Sequence, residues 1–257
     1  MGFWNIFNKR EVEIENLRMI NNSLTKELNR LKAMNSDAQI TIQGLESRFK
    51  KNLKEDKFNN KYPKINQLWA GRYIPNYLNT INVDVRNFFT LNDSEVKKVV
   101  DSLKLEGKTD DEKVLSCLIW VQKNIKYKTD LEAEKVQENW MFAFETLHLK
   151  IGDCEDQAIL LANMIQISKV GYWKVRLTGG WVINPDTRKK EGHVYLTYYC
   201  EEKDKFVILD SCYYPNQFNI KDRLEYKDEI NYLDIWFSWN EKYIFGTDTR
   251  KLKYFEN

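Results

Sequence analysis

The chain has 257 residues, a net charge of +2 and 42% hydrophobic residues. That apolar content is enough for a substantial core, and the near balance of charge gives no electrostatic reason to expect a nucleic acid or a strongly acidic partner. Cysteines at 117, 154, 200 and 212 show no paired Cys-x-x-Cys spacing, so no zinc site, other metal or cofactor is expected, and reduced intracellular thiols are.

The first element is a long helix. Met1–Phe7 is apolar but too short for a signal peptide, and charges follow at once. Gly2 invites a myristoylation reading, but Ile6 stands where Ser or Thr is wanted. Phe3, Trp4, Ile6 and Phe7 suit a docking plug, a membrane-surface foot or a locally packed helix start. No stretch approaches the roughly 20 apolar residues of a transmembrane helix. The expected location is the cytoplasm or an assembled phage particle.

From Val12 to Lys50 the apolar residues fall into heptads. Ile14, Asn21, Leu28, Asn35, Ile42 and Phe49 take the a positions, and Leu17, Leu24, Leu31, Ala38 and Leu45 the d positions. Polar residues lie between them, which predicts a coiled coil on the order of 60 Å long. Two Asn at a favour a parallel dimer of fixed register, at some cost in stability. Residues 12–50 are therefore expected to self-associate or to join a partner helix, with packing on the chain's own domain as the other reading. Gly44 weakens the last turns by up to about 1 kcal/mol relative to Ala.

Residues 1–50 form the first expected unit. Residues 51–90 read as a connector: a charged break at Lys50–Lys57, then the aromatic and proline-punctuated Tyr62, Pro63, Trp69, Tyr73, Pro75 and Tyr77. Residues 91–257 read as the main domain. Asp111–Tyr127 opens it as an apolar helix, with Cys117 as a core residue.

Ile151-Gly-Asp-Cys-Glu-Asp-Gln-Ala158 then starts a second helix. Asp153 is a candidate N-cap and Asp156 a capping-box partner. Cys154 becomes the first helical residue, where unpaired N–H groups and the helix dipole favour a thiolate, while Glu155 and Asp156 push the other way. Ala158, Leu161, Ala162 and Ile165 share its helical face, so the thiol side packs on the domain. A small buried cysteine is the plain alternative.

Lys174–Ile183 reads as a strand broken at Gly179-Gly180, and Asn184–Gly192 as a loop. His193–Cys200 and Lys205–Asp210 read as a hairpin. If Cys200 pairs with Lys205, Tyr195 pairs with Asp210, and His193 lies diagonal to Asp210 on one sheet face. His193 is preferred as a base over His148, the other histidine. Cysteine, histidine and aspartate in this order supply a nucleophile, a base and a group that orients the base.

Gly-Asp-Cys-Glu-Asp, Gly-His-Val-Tyr and Val-Ile-Leu-Asp-Ser in this order resemble the transglutaminase-like superfamily, in particular its bacterial cysteine peptidase branch. Asp111–Tyr127 with its Asn-Ile-x-Tyr end, Asn139-Trp140, Phe144–Leu147 and Trp236–Asn240 are similar to the family's flanking segments, although a proline often found before the cysteine is absent. The missing zinc spacing points away from the zinc-bearing relatives.

The resemblance implies an α+β, papain-like fold in which a nucleophile helix packs on an antiparallel sheet. It implies that Cys154 attacks a carbonyl, His193 moves the proton and Asp210 fixes the imidazole. The Cys154 N–H and a second donor, Gln137 or Trp140, would hold the oxyanion. Two function classes follow. One is a thiol acyl-transfer enzyme, a peptidase or amidase acting on a protein or peptide and carried on an oligomerising helix. The other is a structural or assembly protein, such as a phage particle component, that binds through this domain.

Overall fold

The computed structural model describes residues 2–60, 63–75, 78–133, 135–213, 220, 223, 225 and 228–246, and for residues 2–17 and 20 only the backbone. The side chains of Phe3, Trp4, Ile6, Phe7, Ile14 and Leu17, and all of Tyr62 and Tyr77, lie outside the described residues. The chain divides into two units, residues 1–57 and 58–257.

The first unit is one helix, α1, which runs Gly2–Asn60. It continues through the charged segment read as a break. Lys and Glu are good helix formers, and Lys50–Lys57 contains neither Gly nor Pro to stop it. The large apolar side chains Leu24, Leu28, Leu31, Ile42, Leu45 and Phe49 are all more than half exposed. Within its own unit such a stripe gains nothing from burial. Among the described residues no helix is long and apolar enough to cross a membrane.

In the second unit the connector is structured. It holds β1 (Lys64–Ile65), then β2 (Trp69–Ile74) and β3 (Asn79–Asp84), which pair with each other. The helices α2 (Ser94–Ser102) and α3 (Asp110–Asn124) follow. Thr109 and Glu112 close a capping box at the start of α3, satisfying donors that a helix start leaves unpaired. Next come β4 (Lys126–Tyr127), α4 (Asp130–Ala133), α5 (Ala143–Leu149) and β5 (Ile151–Gly152), with β4 and β5 in parallel.

Helix α6 (Cys154–Ile167) is the centre of this unit. Every residue from Glu155 to Gln166 is buried, not only the face read from the sequence. It packs against β6 (Val175–Ile183) and β7 (Lys190–Cys200), and against α2, α3 and α5. Each fully buried Leu or Ile in such a helix contributes roughly 1.5–3 kcal/mol by leaving water. Its polar side chains are tied down: Asn163 donates to the carbonyls of Phe88 and Ile159 and accepts from Thr90 N, and Gln157 donates to the Gly152 carbonyl.

The sheet is completed by β8 (Lys205–Leu209), β9 (Tyr232–Trp239) and β10 (Ile244–Gly246), in the order β1-β10-β9-β6-β7-β8, antiparallel throughout. The β7–β8 hairpin pairs Cys200 with Lys205 and Leu196 with Leu209, the register expected from the sequence. The irregularity expected at Gly179-Gly180 is a register shift against β9. A Cβ on Gly180 would meet the Asp234 carbonyl oxygen at 2.0 Å, so only glycine fits there. The segment before His193 is shorter as a loop than expected, because β7 starts at Lys190. Its tight return is held by Asn184, whose Oδ1 accepts from the backbone of Asp186 and Thr187.

Candidate active site

Asp210 follows β8 and is almost fully buried, 1% exposed. Four donors hold its carboxylate. Oδ1 accepts from the backbone N–H of Cys212 at 2.8 Å and of Tyr213 at 3.0 Å. Oδ2 accepts from the Tyr232 hydroxyl at 2.6 Å and meets His193 Nε2 at 2.6 Å. The diagonal across the hairpin thus closes as the register requires. Burial pushes the Asp210 carboxyl up, but the charge of His193 and these hydrogen bonds outweigh it, and its pKa lies below the ordinary value. Gln122 Nε2 donates to the Asp210 carbonyl and fixes the loop from the α3 side. The ring of Tyr213 stacks on His193, with centroids 4.5 Å apart.

Cys154 begins α6, as read from the sequence, and is half-buried. Asp156 Oδ2 reaches back to the Asp153 N–H, and Asp156 Oδ1 accepts from Met141 N. The thiol of Cys154 donates to Glu155 Oε2 at 3.0 Å; among the described residues that is its hydrogen bond, and the imidazole is not its partner. Burial, then the charges of Glu155 and Asp153, hold the thiol well above its ordinary pKa. The helix start therefore does not produce a thiolate here: burial and two neighbouring carboxylates outweigh the dipole.

The carboxylates themselves repel. Burial, then like charges, pushes Glu155 and Asp156 up, and burial carries Asp153 to about 6. Ligand oxygens of Asp130, Asp153 and Asp156 lie within 4.8 Å of one another, as do those of Asp130, Glu138 and Glu155. These oxygens are hard donors of the kind that suits calcium or magnesium rather than zinc. The chain brings them together from α4, the following segment and α6, so no local spacing displays them.

A pH-dependent result follows. A carboxyl whose folded pKa is raised gives up stability as pH climbs from its unfolded value through its folded one. For Asp153 that window runs from 3.8 to about 6. Asp153→Asn keeps a good N-cap. It is expected to raise urea-unfolding stability at pH 7 by about 3 kcal/mol and to have little effect at pH 3.5. An equal change at both pH values would show that ionisation of the buried Asp153 carboxyl is not the cause.

The other residues singled out from the sequence fall as follows. Trp140 is buried, its N–H donates to the Gly71 carbonyl and its indole donates to Glu138, so neither donor is left for an oxyanion. Gln137 is exposed beside Glu138. His148 is exposed on α5 and lines a groove of about 850 Å³ with Arg72, Lys98 and Phe144; Cys154, His193 and Asp210 are not in its wall. All four cysteines are free, and Cys117 is a core residue whose thiol burial pushes up to about 12. Tyr232, Tyr213 and Gln122 were not singled out: Tyr232 lies on a separate strand with no motif around it, and Tyr213 and Gln122 lie beside or within motif segments whose pattern does not mark them.

Residues 97–211 match the sequence model of the family described as the transglutaminase-like superfamily. No curated protein matches the chain. Among solved structures, calcium-bound LapG of Legionella pneumophila is 20% identical, with 62% of this chain and 79% of that one covered and a TM-score of 0.47. EGTA-treated LapG of the same organism is 18% identical, with 67% and 87% covered and a TM-score of 0.46. The stretch similar to the transglutaminase-like superfamily, residues 97–211, contains Cys154, His193 and Asp210.

Proposed function

We propose that this protein is a thiol-dependent acyl-transfer enzyme, a peptidase or amidase acting on a protein or peptide. The observation that carries this reading is the His193–Asp210 pair at 2.6 Å with four donors on the carboxylate. With Nε2 committed to Asp210, Nδ1 is the nitrogen left for a thiol, and the tautomer is fixed. A structural histidine would not call for so fully held a carboxylate.

In this reading the Cys154 thiol is neutral at rest and turns from Glu155 toward the imidazole when substrate enters. Nδ1 takes the thiol proton as sulfur bonds to the carbonyl carbon. The Cys154 N–H, at the helix start, faces the developing oxyanion, with Gln137 as the remaining candidate for a second donor. The imidazolium then gives its proton to the departing amine as the C–N bond breaks. Water, deprotonated by the same imidazole, releases the acid and restores the thiol. Proton transfer by a positioned base contributes typically 10²–10⁴-fold.

The test is alkylation by iodoacetamide at pH 7 read by mass spectrometry. Cys154 is expected to react fastest of the four thiols, and about tenfold more slowly in His193→Ala. If Cys154 reacts no faster than Cys212, and at one rate in both proteins, the base does not serve the thiol. The domain is then a binding module, and the assembly reading, including a place in a phage particle, replaces the enzyme.

The same proposal includes association through residues 12–50. The exposed a and d side chains of α1 favour a second copy of this chain. In a parallel, in-register pair Asn21 and Asn35 each meet their own counterpart, and Glu27 at g faces Lys32 at e of the other helix.

A further inference from the structure

We propose that Tyr232 is a positioning residue for the His193–Asp210 pair, setting through Asp210 how strongly the imidazole holds a proton. The inference rests on the reading of His193 as a base. Tyr232 stands at the start of β9, two strands from His193 on β7, and is buried. Its ring packs edge-on against Tyr195, with centroids 4.7 Å apart, in a cluster with Val182, Ile208, Ile235 and Phe245. That packing fixes where the hydroxyl points.

The hydroxyl donates to the same oxygen, Oδ2, that meets the imidazole, and at the same 2.6 Å. A carboxylate oxygen has two lone-pair directions, so the two donors share one atom. The phenol is a fixed competitor: it keeps its proton while the imidazole gains and loses one. It therefore draws charge on Oδ2 away from His193 and blocks rotation of the carboxylate. A buried carboxylate oxygen cannot recruit water to replace a lost donor cheaply. Without the hydroxyl, Oδ2 turns its full charge on the imidazole and favours imidazolium. The other groups facing the pair stay in place: Arg223, which acts on both Asp210 and Tyr232, and Tyr213, which stacks on the ring and feels Cys154, Cys212 and Glu191.

Tyr232→Phe keeps the ring and removes the donor. The measurement is a titration of imidazole ¹⁵N and ¹H resonances of the full chain, which has two histidines. The midpoint for His193 is expected to move upward by about half a pH unit, a threefold change in the protonation equilibrium, while that for His148 stays. In turnover assays the acid limb of kcat/KM is expected to move by the same amount.

The control is Tyr198→Phe, whose hydroxyl donates to the buried Asp111 at 2.6 Å elsewhere in the sheet. It should lower stability comparably and leave His193 unmoved. If Tyr232→Phe folds and the His193 midpoint does not change, the hydroxyl is only structural. If Tyr232→Phe does not fold, 3-fluorotyrosine at 232, a stronger donor, takes its place; it should move the midpoint downward, and no movement overturns the proposal. The resonance readout does not depend on activity. A shifted midpoint with no turnover would leave the positioning role standing and remove the enzyme reading.

Discussion

Cys154→Ala and His193→Ala are each expected to abolish amide turnover, a loss of about 10⁴-fold or more, because a nucleophile and its base act as one unit. The double variant should be no worse than either single one. Asp210→Asn should fold yet lose roughly 10²- to 10⁴-fold, since an amide in place of the carboxylate presents a different face to Nε2 and disturbs the tautomer. Cys117→Ala removes a buried thiol from α3 and should lower stability without touching turnover. The assay is hydrolysis of a peptide library followed by mass spectrometry, with circular dichroism to confirm folding. Full activity in Cys154→Ala would end the thiol mechanism. Activity lost equally in Cys117→Ala would point to general destabilisation instead.

The second large effect is expected on α1. Leu24→Asp with Leu31→Asp puts charge at two successive d positions, where leucines fill the holes of a facing helix. Burying an unpaired carboxylate in such a seam costs several kcal/mol, enough to dissociate a dimer. The variant should sediment as a monomer that keeps the second unit folded, because residues 58–257 have their own core. Asn21→Ile with Asn35→Ile should act in the opposite direction, tightening association while loosening its register. Analytical ultracentrifugation decides. A wild-type chain that stays monomeric at high concentration would leave a different partner, or packing of the helix on the chain's own domain, for the stripe.

Several features were legible without coordinates because they depend on neighbours in the chain. The start of α6 at Cys154 follows from Asp153 and Asp156 three residues apart. The hairpin register follows from the polar Glu201–Asp204 between two β-rich runs, and with it the meeting of His193 and Asp210, since a strand's period of two fixes which side chains share a face. The glycine irregularity in β6 was likewise local. The end of α1 was missed because charged residues favour a helix as readily as a turn.

What only the tertiary structure decided is the environment of those residues. Tyr232 and Gln122 reach Asp210 from 22 and 88 residues away, at separations no pattern announces. The ionisation of Cys154 is a second case. Sequence places it at the positive end of a helix, which lowers a thiol's pKa. Folding buries it beside Glu155 and Asp153, with Asp130, Glu138 and Asp156 assembled around them, which raises it. The helix start and the flanking carboxylates are written in the chain, whereas burial, the largest cause of the raised pKa, exists only once the chain has packed.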